Sequence, residues 1–448
     1  MRKPNLHGDA ASGGEPRSDT RDCGPQPNAT GRYVIVFRDG ATDKGIELLE
    51  SLNLVLAGSR DADAGVLRED EAGDADVIVY SRLGVAVLAA APEQISRLAD
   101  VALDSSGPIL AVVPEKVRHV IGSAEPDAET DLDNPSRLKP SAGYTRADCG
   151  VTASPSFSEK IRPGADLRMR FAAFDESQAT WGLQITNVVN SRFGGRGIRI
   201  AILDTGIELS VDAAGQVHYH PDFEGRTITA ETFVPGTTSA RDGDGHGTHC
   251  LGTACGPLRP PILPRYGTAY GAEIFVAKVA DDIGRAPDGW IIAGINWAVC
   301  NGCQIISMSL GSRKEVGEPY SVVYENIALR ALDAGVLIIA AAGNCFDDQP
   351  CPVKEPADCP SIMAVGAITE DYKVASFSCA GINANGGEVD IVAPGVHVYS
   401  SYRLPLGHTR LSGTSAAAPH VAGIAALYAE ANPGAVGKAL WDLLIKPG

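Results

Sequence analysis

The chain has 448 residues, 44% hydrophobic but only 6% aromatic, with 50 glycines and a formal net charge of −17. That length allows two or three domains and a large core, while the acidity argues against nucleic acid or an anionic membrane surface as a partner. No run of 18 apolar residues occurs, so no transmembrane helix is expected, and the aliphatic, Ala- and Gly-rich content suits an α/β fold.

Residues 1–31 are polar and rich in Gly, Pro and charge, which predicts a disordered N-terminal segment. They lack the apolar core of a secretory signal, so a cytoplasmic protein is expected, with secretion as the alternative. Residues 32–117 alternate differently. Apolar runs predict strands at Tyr33–Phe37, Val77–Tyr80, Val85–Ala90 and Ile109–Val113. Helical spacing falls near Lys44–Asn53 and Pro92–Val101, with Pro92 suited to a first turn. The order β-α-β-β-α-β is that of a small ferredoxin-like α+β unit, and the acidic stretch from Gly58 to Asp76 reads as an inserted loop.

Residues 118–180 are polar and Pro-rich and read as a linker and an arm. From 181 to 448 strand and helix alternate, which predicts a doubly wound parallel sheet. Its strands are expected at Ile198–Leu203, Glu273–Val279, Ile305–Ser309, Val336–Ala341 and Ile362–Ala367, and helices at Gly289–Asn301 and Ser415–Ala431.

Three words in this last region supply a reactive set. GTSAAAPHVAG (Gly413 to Gly423) places Ser415 at the start of a small-residue helix, where unpaired amides and partial positive charge favour an oxyanion. IRIAILDTGI (Ile198 to Ile207) delivers Asp204 from a buried strand into a turn that Gly206 permits. DGHGTHCLGTACG (Asp244 to Gly256) puts His246 between two glycines ahead of a helical run. A serine nucleophile needs an imidazole to take its proton, and the imidazole needs a carboxylate to fix its tautomer. Each word alone describes an ordinary turn; the three together describe a catalytic triad. His249 reads instead as a packed residue.

The order Asp, His, Ser with these flanking words resembles the subtilisin-like serine proteases, the subtilases. Ala416 and Ala418 stand where that family usually has Met and Ser. The resemblance implies that Asn344, at the end of VLIIAAAGN (Val336 to Asn344), is the oxyanion-hole side chain. It also implies that Gly284, Arg285 and Ala286 form one edge of an extended substrate site. Ser309, Leu310 and Gly311 form the other edge and also line the pocket for the residue before the cut, and Ala341, Ala342 and Gly343 are further substrate-binding residues. Residues 32–117 look like the family's inhibitory propeptide, with self-cleavage expected near Pro114 to Ser123. Cys250, one residue after His249, resembles the buried thiol of the proteinase K-like branch. Glu355-Pro356 aligns with a position that often holds a cis peptide.

No cofactor is required by this chemistry, but calcium is common in the family, and Asp222 in HPDF (His220 to Phe223) is either its ligand or an ordinary surface Asp. The ten cysteines, among them Cys300, Cys303, Cys345, Cys351 and Cys359, are disulfides or thiols according to compartment; one Cys-x-x-Cys without a second pair is a weak zinc signal. Lys354 is either a surface lysine or a cation at the floor of the pocket for the residue before the cut. The expected activity is hydrolysis of internal peptide bonds in protein or peptide substrates by a monomeric, self-processing zymogen. A peptide ligase using the same acyl-enzyme and a latent pseudoprotease acting as a binding protein are the alternatives.

Overall fold

A computed structural model describes residues 29–58, 75–122, 174–345 and 350–446. The expected disordered segment up to residue 28, most of the acidic loop and residues 123–173 of the linker lie outside the described residues. No helix among those described is long and apolar enough to cross a membrane.

The N-terminal unit runs β1 (Ala29–Phe37), α1 (Thr42–Ser51), β2 (Leu56–Gly58), β3 (Val77–Tyr80), β4 (Val85–Leu88), α2 (Pro92–Ala102) and β5 (Ile109–Val120). The strands lie in the order β5-β1-β4-β3-β2. Strand side chains alternate between faces, and here both faces are buried. Ile35, Phe37, Val77, Val79, Ala86 and Leu88 join Ile46 and Leu49 of α1 and Ile95 and Leu98 of α2 in one core. Their neighbours Val34, Val36, Ile78, Tyr80, Val85 and Val87 point the other way, into the core of the C-terminal body. That double burial explains why these strands read as continuous apolar runs.

The C-terminal body opens with α3 (Trp181–Ile185), β6 (Arg199–Asp204), the hairpin β7 (Leu209–Val211) and β8 (Val217–Tyr219), and β9 (Ile228–Thr232). There follow α4 (His246–Cys255), β10 (Glu273–Lys278), β11 (Arg285–Pro287), α5 (Asp288–Cys300), β12 (Ile305–Met308) and β13 (Leu310–Gly311). The chain continues through α6 (Val322–Asp333), β14 (Leu337–Ala341), β15 (Met363–Ile368), β16 (Ile391–Pro394), the hairpin β17 (Val398–Ser401) and β18 (His408–Leu411), α7 (Thr414–Ala431) and α8 (Gly437–Ile445). Seven strands form a parallel sheet in the order β16-β15-β14-β12-β6-β10-β9. The expected doubly wound sheet is therefore present, and the five strands read from sequence are its centre; the outer β9 and β16 were not anticipated.

One boundary needs correction. The N-terminal unit does not end at residue 117, because β5 continues to Val120 and pairs antiparallel with β11 and β13 of the C-terminal body. A linker reading of residues 118–120 failed because those polar side chains, Arg118 and His119, belong to the end of a strand that pairs there with segments more than 160 residues away in sequence.

Candidate active site

In open α/β sheets, sites form beyond the carboxyl ends of strands where the strand order reverses. Here β6 lies between β10 and β12, and its last residue is Asp204. Ile200 to Asp204 are all buried. Gly206, at φ 117°, then turns the chain so tightly that a Cβ there would lie 2.3 Å from the Ala240 carbonyl oxygen.

His246 is the first residue of α4, a helix in which all ten residues are buried. The N-terminus is fixed by Asp242, whose Oδ1 accepts the Gly245 amide at 2.7 Å and whose Oδ2 accepts the Thr248 amide and hydroxyl at 2.8 and 2.7 Å. An acidic cap of this kind satisfies orphan donors and suits the helix dipole. Asp242 also takes the Thr205 hydroxyl at 2.8 Å, while Thr205 Oγ1 accepts the Gly247 amide at 2.8 Å. Asp242 thus ties the start of α4 to the end of β6. Sequence reading passed over it, although an acid four residues before a helix-opening histidine was the available signal.

With these two ends joined, His246 Nδ1 lies 2.8 Å from Asp204 Oδ1. Burial works against the charged ring, but the Asp204 carboxylate outweighs it and lifts the imidazole well above its ordinary pKa. The carboxylate holds the proton on Nδ1 and leaves Nε2 free to act as a base. His246 Nε2 is buried and makes no hydrogen bond, so the contact to Ser415 Oγ is not formed in this structure.

Ser415 is buried and is the second residue of α7. Asn344 faces it after β14: its Oδ1 accepts the Thr414 amide at 2.9 Å and the Thr414 hydroxyl at 3.0 Å, and Thr414 Oγ1 accepts the Gly343 amide at 3.0 Å. This arrangement turns Asn344 Nδ2 toward the cleft. A Cβ added at Gly413 would sit 2.8 Å from Ser415 Oγ and 2.9 Å from Asn344 Nδ2, so the hydroxyl and the amide share one small space. The four residues expected to react are brought together.

Cys250 packs beneath them, its thiol donating to the Ser415 carbonyl at 3.4 Å with Sγ 3.8 Å from His246 Nδ1. Burial pushes that thiol up and keeps it protonated. His249 is a packed residue as expected: Nε2 meets the Val398 carbonyl at 2.9 Å and burial lowers its pKa to about 3.

The two expected substrate edges are occupied by the chain's own β5. Val117, Arg118 and His119 pair with Pro287, Ala286 and Arg285, and His119 and Val120 pair with Gly311 and Leu310. The Val120 amide donates to the Gly284 carbonyl at 2.9 Å and the Ile121 amide to the Ser309 carbonyl at 2.8 Å. The buried Ile121 side chain reaches Gly311, and Asn344 Nδ2 donates to the Gly122 carbonyl at 3.0 Å. Ala341, Ala342 and Gly343 lie buried at the end of β14; half-buried Lys354 packs its stem over Gly343 and beside Gly311.

Docking is anchored by charge. Glu115 of β5 is fully buried, accepts the Gly289 amide at the start of α5 at 2.7 Å and pairs with Arg32 at 2.7 Å. Arg118 of β5 pairs with Asp288 at 2.7 Å and with Glu355 at 2.8 Å. Burial alone would raise the Glu355 carboxyl, but Arg118 holds it far below the usual carboxylate range. The Glu355-Pro356 bond is cis, as the resemblance implied.

Two expectations about ions meet a different environment. The Asp222 carboxylate is buried and takes the Tyr266 hydroxyl and, at 2.8 Å, His408 Nε2. Calcium needs six to eight oxygen ligands, and this surrounding of hydrogen-bond donors does not fit it. Among the described residues, the side chains close enough to share a metal are Asp204, His246 and Cys250, which are the reactive set itself. Cys300 and Cys303 are free thiols outside it, whereas Cys345 and Cys351 form a disulfide immediately after Asn344.

Comparison with known proteins agrees with this geometry. Residues 195–446 match the model of the Subtilase family, Peptidase_S8. The chain is 36% identical over 244 residues to Subtilisin E of Bacillus subtilis (strain 168), a match covering 54% of this chain and 58% of that protein. It is 37% identical over 256 residues to Subtilisin BL of Lederbergia lenta, covering 56% of this chain and 85% of that one. The crystal structure of a cold adapted subtilisin-like serine proteinase superposes with a TM-score of 0.50 at 31% identity, covering 60% of this chain and 91% of the other. The match thus spans a little over half the length of Subtilisin E, and the family model covers more than half of this chain. The chain belongs to the subtilase family.

Proposed function

We propose that this protein is a serine endopeptidase made as a self-processing zymogen. The observation that carries the reading is the convergence of Asp204, His246, Ser415 and Asn344 on a cleft that already holds an extended peptide strand. Ser415 Oγ attacks a substrate carbonyl and His246 Nε2 takes its proton. The charged imidazole is stabilised by Asp204, and Asn344 Nδ2 holds the oxyanion. His246 then protonates the leaving amine, and water repeats the sequence on the acyl-enzyme. Gly284 to Ala286 and Ser309 to Gly311 bind substrate backbone by strand addition, which is independent of sequence.

The N-terminal unit is the intramolecular inhibitor. Its β5 occupies both substrate edges, and the bond it presents lies within Ile121-Gly122-Ser123. A Ser415→Ala protein made without any active copy should keep residues 29–122 covalently attached; normal maturation of that variant would exclude self-cleavage. For location we propose an oxidising compartment, on the support of the Cys345–Cys351 bridge; a count of free thiols in protein taken from its native compartment tests it.

A further inference from the structure

Strand addition leaves sequence preference to the side-chain pockets along the groove, and one pocket here is unlike a hydrophobic slot. Arg118 is 2% exposed and stands three residues before Ile121. A guanidinium has five N–H donors in a fixed planar fork, and all three of its nitrogens meet acceptors here. Nε meets Asp288 Oδ1 at 2.7 Å, and Nη2 meets Asp288 Oδ2 at 3.4 Å and Glu355 Oε1 at 2.9 Å. Nη1 meets Glu355 Oε2 at 2.8 Å and Ser312 Oγ at 2.5 Å. The Tyr324 ring lies under the guanidinium, 5.3 Å from centroid to Cζ, and its hydroxyl holds Asp288 Oδ1 at 2.8 Å.

All four partners belong to the C-terminal body. With β5 in place Asp288 and Glu355 are both buried; when β5 leaves, they remain side by side without the cation that covered them. Lys116, the other cation of β5 at this place, reaches Glu355 Oε2 at 3.3 Å from a half-exposed position, and its backbone amide donates to Asp288 Oδ2 at 2.9 Å. A neutral occupant would cover both carboxylates again without pairing them, which is costly. A lysine offers one charge and three donors but cannot span the two carboxylates and the serine in one plane.

We propose that Asp288, Glu355, Ser312 and Tyr324 form a substrate subsite selective for arginine, three residues before the side chain that fills the pocket at Gly311. Arg118 is then the first ligand of that subsite. Substrates are peptides carrying arginine at that position. The proposal rests on the serine endopeptidase reading.

The test uses matured wild-type protein and internally quenched peptides copying residues 114–125, with Arg, Lys, Ala or Glu at the place of Arg118 and the cut mapped by mass. Truncating one member of a buried charge pair commonly lowers affinity by about 30-fold or more. The Arg peptide should therefore exceed the Ala peptide in kcat/KM by roughly 100-fold, the Lys peptide should fall between them, and the Glu peptide should be worst. Asp288→Asn and Glu355→Gln should each cut the Arg-to-Ala ratio at least tenfold; if one does not fold the other serves, and the wild-type series decides without either. Equal cleavage of all four peptides overturns the arginine subsite and leaves the protease standing. An Arg preference that both variants retain also overturns it, because the selectivity then lies elsewhere. A matured protein that cuts none of the peptides, nor denatured casein, defeats the protease reading itself.

Discussion

Asn344 performs two tasks that substitution can separate. Its Nδ2 faces the cleft and holds the Gly122 carbonyl at 3.0 Å, while its Oδ1 fixes Thr414, the residue before the nucleophile, through contacts at 2.9 and 3.0 Å. Asn344→Asp keeps both acceptor contacts and loses the donor; Asn344→Ala loses all three. Removing one oxyanion donor costs about 2.7–4 kcal/mol, roughly 100- to 1000-fold in kcat. Because the interaction strengthens as charge develops, KM should change little. Asn344→Asp should lose at least that much, since it also sets a negative charge against the oxyanion. The Ala variant adds a stability cost of about 2–4 kcal/mol, for a buried amide and hydroxyl left without an acceptor. The assay is steady-state cleavage of one peptide by wild type and both variants, each matured by added active protein, with urea unfolding of each. An Asn344→Asp enzyme within about threefold of wild-type kcat would refute the oxyanion assignment, and an Asn344→Ala protein as stable as Asn344→Asp would refute the Thr414 role.

The raised His246 pKa gives activity and stability opposite pH trends. Activity needs the neutral ring, so the acid limb of kcat/KM should lie above the ordinary imidazole value of about 6.5. The stabilising charged pair with Asp204 is complete below that value and is lost as pH rises through the folded pKa. An acid limb at or below 6 would contradict the pairing. Gly413→Ala should push Ser415 Oγ and Asn344 Nδ2 apart, and misplacement near 1 Å costs about 100-fold; peptide kinetics showing full activity would refute the shared space. Hydrogen peroxide should leave most activity intact, because Ala416 follows the nucleophile and the Cys250 thiol is buried and protonated. Rapid inactivation traced by peptide mapping to residues beside Ser415 would count against this.

The positions of Asp204, His246 and Ser415 were legible because their three words carry their own local geometry: a buried strand ending in Asp204, a helix opening with His246 and another with Ser415 in its first turn. Central strands were legible for the same reason, as each is a continuous buried apolar run. What escaped depends on long-range contact. Edge strands β9 and β16 are partly exposed and carry mixed patterns. Arg118 looked like a linker cation, and only the pairing of β5 with β11 brings it to Asp288 and Glu355, 170 and 237 residues away. For Asp222 the sequence left calcium and an ordinary surface carboxylate open, because it could not show Tyr266 and His408 arriving from other segments to use that carboxylate.

The most direct test of the account is the intact mass of purified wild type and Ser415→Ala, each after exposure to a fluorophosphonate. The account predicts a wild type that has lost the residues before a cut within Ile121-Gly122-Ser123 and gains one adduct, beside an uncut and unlabelled variant. An uncut wild type without adduct, or a variant that is cut and labelled like wild type, would contradict it.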